Sequence, residues 1–173
     1  WIRYNCLPGQ FRRDSLITNL QHLDSNFYAF LDAYINFSDT NIKNSSAYLV
    51  NSSQIYAPLN QNFSYQFQAF DPDGDSLSYH FVQPRHRYYQ CGGSNPIGPV
   101  NILYKLPFTN LEPFATNGTF NWDSTNATMS FNTSTVQNPL ITIIIDEYRN
   151  GVWVGNSSRD IPIVIVPFNY ALP

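Results

Sequence analysis

The chain is 173 residues long, with a formal net charge of −3 and only 12% charged residues. That length accommodates one well-buried domain, or one domain with an extension. The sparse, slightly acidic charge excludes a phosphate-tracking basic surface, and no apolar run is long enough to span a bilayer, so neither nucleic acid nor membrane insertion is expected. Aromatic residues make up 16% of the chain, distributed in alternating runs that suit β-structure. The chain begins at Trp1 without the charged and apolar segments of a secretory leader, and reads as a mature or truncated secreted product.

In chain order, Trp1 to Gln10 has no periodicity, and Pro8-Gly9 reads as a turn. Ser15 to Leu20 is a short strand candidate. In Phe27 to Phe37, Ser25 or Asn26 offers a helix cap, yet the density of aromatics and the closing Ile35 to Phe37 favour a long strand. Ser38 to Asn44 is a polar loop. Ala47 to Pro58 follows as a lead-in strand with Tyr48, Val50, Ile55 and Tyr56 apolar, and Pro58 limits its ladder bonds.

Two alternating runs, Phe63 to Ala69 and Leu77 to Val82, flank the stretch Asp71-Pro72-Asp73-Gly74-Asp75. Pro72 fixes φ and Gly74 permits positive φ, so a sharp turn is expected there. The turn crowds the carboxylates of Asp71, Asp73 and Asp75. Their repulsion is relieved either by solvent or by a hard cation, and Ca²⁺ is the natural candidate because it takes several carboxylate and carbonyl oxygens.

Arg85-His86-Arg87 is a small basic cluster, read as a solvated rim. A loop bearing Gly92, Gly93 and Pro96 runs on to Pro99, and Val100 to Leu106 is a further strand candidate. Phe120 to Trp122 and Thr128 to Phe131 alternate around a polar turn, as a hairpin does. Leu140 to Ile145 is almost solid apolar and should be a central strand covered on both faces. Asn150-Gly151 is the strongest hairpin signal in the chain. Ile161 to Val166 closes it, and Pro162 argues for an edge position. Short strands at turn-punctuated spacing, with no good helix, give an all-β sandwich.

Asn-X-Ser/Thr occurs eight times, at Asn36, Asn44, Asn51, Asn62, Asn117, Asn126, Asn132 and Asn156, an excess over chance that points to N-linked glycans on an extracellular chain. The alternative is that Asn, Ser and Thr are simply common in turns. Cys6 and Cys91 fit one long-range disulfide in an oxidising compartment, while free or intermolecular thiols remain open because spacing does not fix connectivity.

Taken together, Ala69 to Tyr79 and Asp146 to Gly155 with Arg159-Asp160 resemble the motifs of immunoglobulin-like or cadherin-like modules in large secreted surface proteins of gliding Bacteroidetes. The stretch from Asn51 to Phe67 is similar to the start of such a module, and weaker similarity reaches back through Ile17 to Leu20 and Asn26 to Ala33. The resemblance implies an extracellular structural or adhesive module that is not an enzyme. It supports Asp71, Asp73 and Asp75 as a Ca²⁺ turn, and makes Arg149, Asn150, Gly151, Arg159 and Asp160 framework positions. The chain departs from the family in standing at 173 residues rather than in a far longer string, and in having only Cys6 where paired cysteines are common near the module start.

The expected architecture is an immunoglobulin-like sandwich over residues 51–173, preceded by a strand-forming extension over residues 1–50. The apolar strand runs of the extension must pack somewhere. Donated to the open sheet edge of a neighbouring copy, they would build a head-to-tail filament by strand addition, and copies of the chain would be its partners. The alternative is a monomeric adhesive or glycan-binding module of a larger secreted protein, with Trp1, Trp122, Trp153 and the tyrosines offering stacking surfaces for surface glycans. Catalysis is not expected. Asp146 and Glu147 are adjacent on a strand and point to opposite faces, and His22, His80 and His86 lack metal-ligand spacing.

Overall fold

The structure is a computed structural model that describes residues 17–21, 31–35, 43–51, 54–86, 100–118 and 120–167. These form twelve strands and, among the described residues, no helix: β1 (Leu31–Ile35), β2 (Tyr48–Leu49), β3 (Ile55–Pro58), β4 (Phe63–Gln66), β5 (Ala69–Phe70), β6 (Ser76–Val82), β7 (Arg85–His86), β8 (Val100–Asn101), β9 (Asn121–Asp123), β10 (Thr128–Phe131), β11 (Leu140–Arg149) and β12 (Val152–Val166). The all-β expectation holds.

The organising hairpin is β11–β12. Its two-residue loop, Asn150 and Gly151, has φ of 53° and 77°. Both residues are left-handed, as a type I′ turn requires, and Asn and Gly are the residues that tolerate this with least cost. On its far edge β11 pairs antiparallel with β6, from Thr142 opposite Val82 to Tyr148 opposite Ser76. The far edge of β12 is shared. β1 lies antiparallel along Gly155 to Arg159, and β3 lies parallel along Ile163 to Val166. A second sheet has the order β4-β10-β9, and two short pairs, β2-β5 and β7-β8, stand beside them.

The strand period of two decides the core. Ile141, Ile143 and Ile145 of β11 and Ile161, Ile163 and Ile165 of β12 are buried in the same cluster as Met129 and Phe131 of β10 and Phe67. Apolar side chains of the five-stranded and three-stranded sheets therefore share one interior. Aromatic edges fill it: Phe81 lies 4.3 Å from Trp122 between ring centroids, and Phe114 lies 4.9 Å from Phe131. Thr142 and Ile144, the alternate residues of β11, are buried too, so this strand is covered on both faces as its apolar run implied.

A smaller cluster joins Leu20 to Ile102, Tyr104 and Leu140. Beside it Asn19 is wholly buried. Its Nδ2 donates to the carbonyls of Pro113 and Leu140, at 2.7 and 2.8 Å, and its Oδ1 accepts the Leu140 N–H at 2.9 Å. A buried amide so completely paired ties the segment around Asn19 to the start of β11. Ala47 and Leu49, which precede residue 51, belong to the main core.

Three local expectations are corrected. The Ala47 to Pro58 run is two strands with different partners, β2 on β5 and β3 on β12. Val100 to Leu106 is a strand only at Val100–Asn101, followed by a single bridge from Tyr104 to Leu20. Finally, Pro162 does not mark an edge strand, because β12 is flanked on both sides. The N–H groups of Ile163 and Ile165 point across to Pro139 and Gln137, so the nitrogen of Pro162 faces the opposite side. There it falls between the start of β1, with Leu31 opposite Arg159, and the start of β3, with Ile55 opposite Ile163, where no ladder bond is required of it.

Candidate functional site: a carboxylate cluster at the β5–β6 turn

Asp71 builds the turn between β5 and β6. Its Oδ1 accepts the N–H groups of Asp73 and Asp75 at 2.9 and 3.0 Å, and its carbonyl accepts the Gly74 N–H at 3.3 Å. Short acidic side chains favour this local bonding, and Gly74, at φ 78°, supplies the left-handed residue that closes it. The price of compactness is crowding: carboxylate oxygens of Asp71, Asp73 and Asp75 lie within 4.8 Å of one another. The sequence-predicted triad is thus brought together.

Two residues of β11 complete the cluster. Arg149 lays its planar fork on Asp75, Nε to Oδ1 and Nη2 to Oδ2 at 2.7 Å each, and Nη2 stands 3.4 Å from Asp73 Oδ2. Its Nη1 donates to the Lys43 carbonyl at 2.9 Å, and Nη2 also reaches Asn44 Oδ1 at 3.3 Å. The Asp75 side chain is only 2% exposed, so this pairing supplies the counter-charge it has lost from water. The guanidinium is correspondingly held more firmly protonated, chiefly by its bond to Asp75.

Glu147, two residues before Arg149 on the same strand, is wholly buried. Its Oε1 accepts the Ala47 N–H at 2.7 Å, and its Oε2 accepts Asn44 Nδ2. Burial pushes its carboxyl above the usual range, and the charges of Asp71 and Asp75 add to the rise, while the two hydrogen bonds oppose it. Asp73 Oδ2 accepts the Ser45 N–H, so residues 43–47 are clasped by the turn on one side and by β11 on the other.

Asp71 differs from its neighbours. It is 6% exposed, and its Oδ2 is buried without a hydrogen-bond partner. The two donors that reach the Asp71 side chain both converge on Oδ1.

Asp146 and Glu147 engage separate groups. Asp146 accepts Trp153 Nε1 at 3.1 Å and Asn156 Nδ2 at 3.3 Å, and its Oδ2 lies 3.2 Å from His80 Nδ1. Glu147 faces residues 44 and 47 instead. Arg159 and Asp160 stand on β12, where Asp160 accepts Thr142 Oγ1.

Of the sequon asparagines, Asn62, Asn117 and Asn126 are exposed and Asn44, Asn51, Asn132 and Asn156 are half-buried. Three of them meet at one place, Asn117 Nδ2 donating to Asn132 Oδ1 and Asn132 Nδ2 to Asn62 Oδ1, both at 2.9 Å. Asn36, Cys6 and Cys91, together with Trp1, His22 and Arg87, lie outside the described residues.

The role of Glu147 and Arg149 at the turn, and that of Asn44 and Ala47, was not read from the sequence. The one available signal was their spacing: an acid and a base two residues apart on a strand share a face, and an acidic turn elsewhere in the chain needs a counter-charge. Compared with known proteins, the chain matches no family model, no curated protein and no solved structure.

Proposed function

We propose that the chain is a non-catalytic, immunoglobulin-like β-sandwich module that serves as a structural or adhesive piece of an extracellular protein. The observation that carries the reading is the parallel pairing of β3 with β12. Within the part of the chain from β3 onward, the first and last strands run the same way, so that part enters at one end and leaves at the other, and a pull between β3 and β12 loads their ladder in shear. The segments before β3, with β1 on β12 and Ala47 and Leu49 in the core, are docked on the same body and would have to be peeled away first. The sheet orders β3-β12-β11-β6 and β4-β10-β9, with a shared interior, support the immunoglobulin-like description.

The extracellular placement rests on the sequons. Seven of the eight asparagines are among the described residues, three of them exposed and four half-buried. The separate engagements of Asp146 and Glu147 favour a structural role for these acids.

The filament reading also has a specific observation behind it. β1 adds antiparallel to the exposed side of β12, which is strand-addition geometry. Within this chain the addition is made in cis and fills the edge, whereas a filament requires the same ladder between copies. Sedimentation of the purified chain separates the two. The module reading expects monomers at all accessible concentrations, and polymers that sediment without added ligand would replace it with the filament.

A further inference from the structure

We infer that the β5–β6 turn is a Ca²⁺ site, with Asp71 Oδ2 as its buried anchor and carboxylate oxygens of Asp73 and Asp75 as further ligands. This goes beyond the module reading and stands independently of it. Crowded acidic side chains alone would be satisfied by solvent. What points to a ligand is Asp71, a carboxylate more than nine-tenths buried whose second oxygen meets no donor. Its first oxygen has already taken the two backbone N–H groups of the turn. A charged oxygen withdrawn from water needs a positive partner.

The guanidinium of Arg149 does not fill that need. It forks onto Asp75 and approaches Asp73, and its other bonds go to Lys43 and Asn44. One guanidinium therefore stands beside the three clustered carboxylates of Asp71, Asp73 and Asp75, and a divalent ion would offset the remaining charge.

The spacing fits. Oxygens on opposite sides of a single Ca²⁺ stand about 4.8 Å apart, since each bond is about 2.4 Å. The three aspartates offer oxygens within that distance of one another. Three side chains leave coordination positions for water or carbonyls, which Ca²⁺ tolerates in irregular geometry and Mg²⁺ does not. Calcium is therefore preferred over magnesium.

The test is calorimetric titration of the whole chain with CaCl₂, beside thermal melts in chelator, CaCl₂, MgCl₂ and NaCl at matched ionic strength. One saturable site is expected, with a rise in Tm of roughly 5–10 °C at a hundredfold excess of Ca²⁺ over Kd. Asp71→Asn keeps the Oδ1 acceptor of the turn but should lose the Ca²⁺-dependent rise. Asp73→Asn, on a partly exposed side chain that keeps an acceptor for the Ser45 N–H, should fold and bind at least about tenfold more weakly, so it decides the matter should Asp71→Asn fold poorly. The proposal is overturned by NaCl stabilising as well as CaCl₂, which would be screening alone, by the absence of a binding heat, or by Asp73→Asn binding as the parent does.

Discussion

Glu147 and Ala47, 100 positions apart in sequence, meet as a buried carboxylate and a backbone N–H at 2.7 Å. The bond fixes the segment that leads into the domain against the strand at its centre. Glu147→Gln keeps the size but turns one acceptor into a donor that faces either the Ala47 N–H or the Asn44 amide. One buried donor is then left without its acceptor, and the expected loss is about 1–3 kcal/mol in urea unfolding. An unchanged midpoint would show that the clasp contributes nothing.

The same residue sets a pH dependence. The carboxyl of Glu147 titrates above its usual 4.5, chiefly because it is buried, so the folded chain holds this proton at pH values where the unfolded chain has released it. Stability from this group is complete below the unfolded value and is lost as pH rises through the folded one. In chelator, the stability of the parent relative to Glu147→Gln should therefore fall as pH climbs above about 4.5. Melting curves of both proteins across that range check it, and parallel curves would remove Glu147 as the cause.

Arg149 and Asp75 should behave as a pair. Arg149→Met strands a nearly buried carboxylate, whereas Arg149→Met with Asp75→Leu removes both charges. The double variant should melt at a higher temperature than Arg149→Met alone, and Asp73→Asn should cost less than either. Additive losses in this double-mutant cycle would mean that the fork carries no coupling energy.

Gly74 and Gly151 test the turns by conformation alone. At both, an added Cβ would meet nothing within 4 Å, but φ is 78° and 77°. Alanine at either position should cost roughly 1–2 kcal/mol through left-handed strain without a clash. Chemical denaturation of the two variants measures it, and a neutral substitution would mean that the turn relaxes to another type.

Much of the framework was legible because strand periodicity and turn chemistry are local. The alternation in Phe63 to Gln66 and Ser76 to Val82, the solid apolar run from Leu140 and the Asn150-Gly151 loop each fixed an element before any long-range contact was known. What could not be read was pairing. Pro162 looks like an edge signal until two different strands are seen to share the flank of β12 and leave a gap opposite its nitrogen. In the same way, Asp71, Asp73 and Asp75 announced a crowded turn, but the counter-charge comes from Arg149, 74 positions from Asp75. Single-residue patterns carry no information on such distant juxtaposition.

The most direct test of the self-contained module is sedimentation velocity of the purified chain over a wide concentration range, with and without Ca²⁺. With β1 and β3 both paired to β12 of the same chain, a single monomeric species is expected throughout. Long polymers, lost on truncation before β1 through to Ile35, would contradict it and show that the ladder on β12 is made between copies.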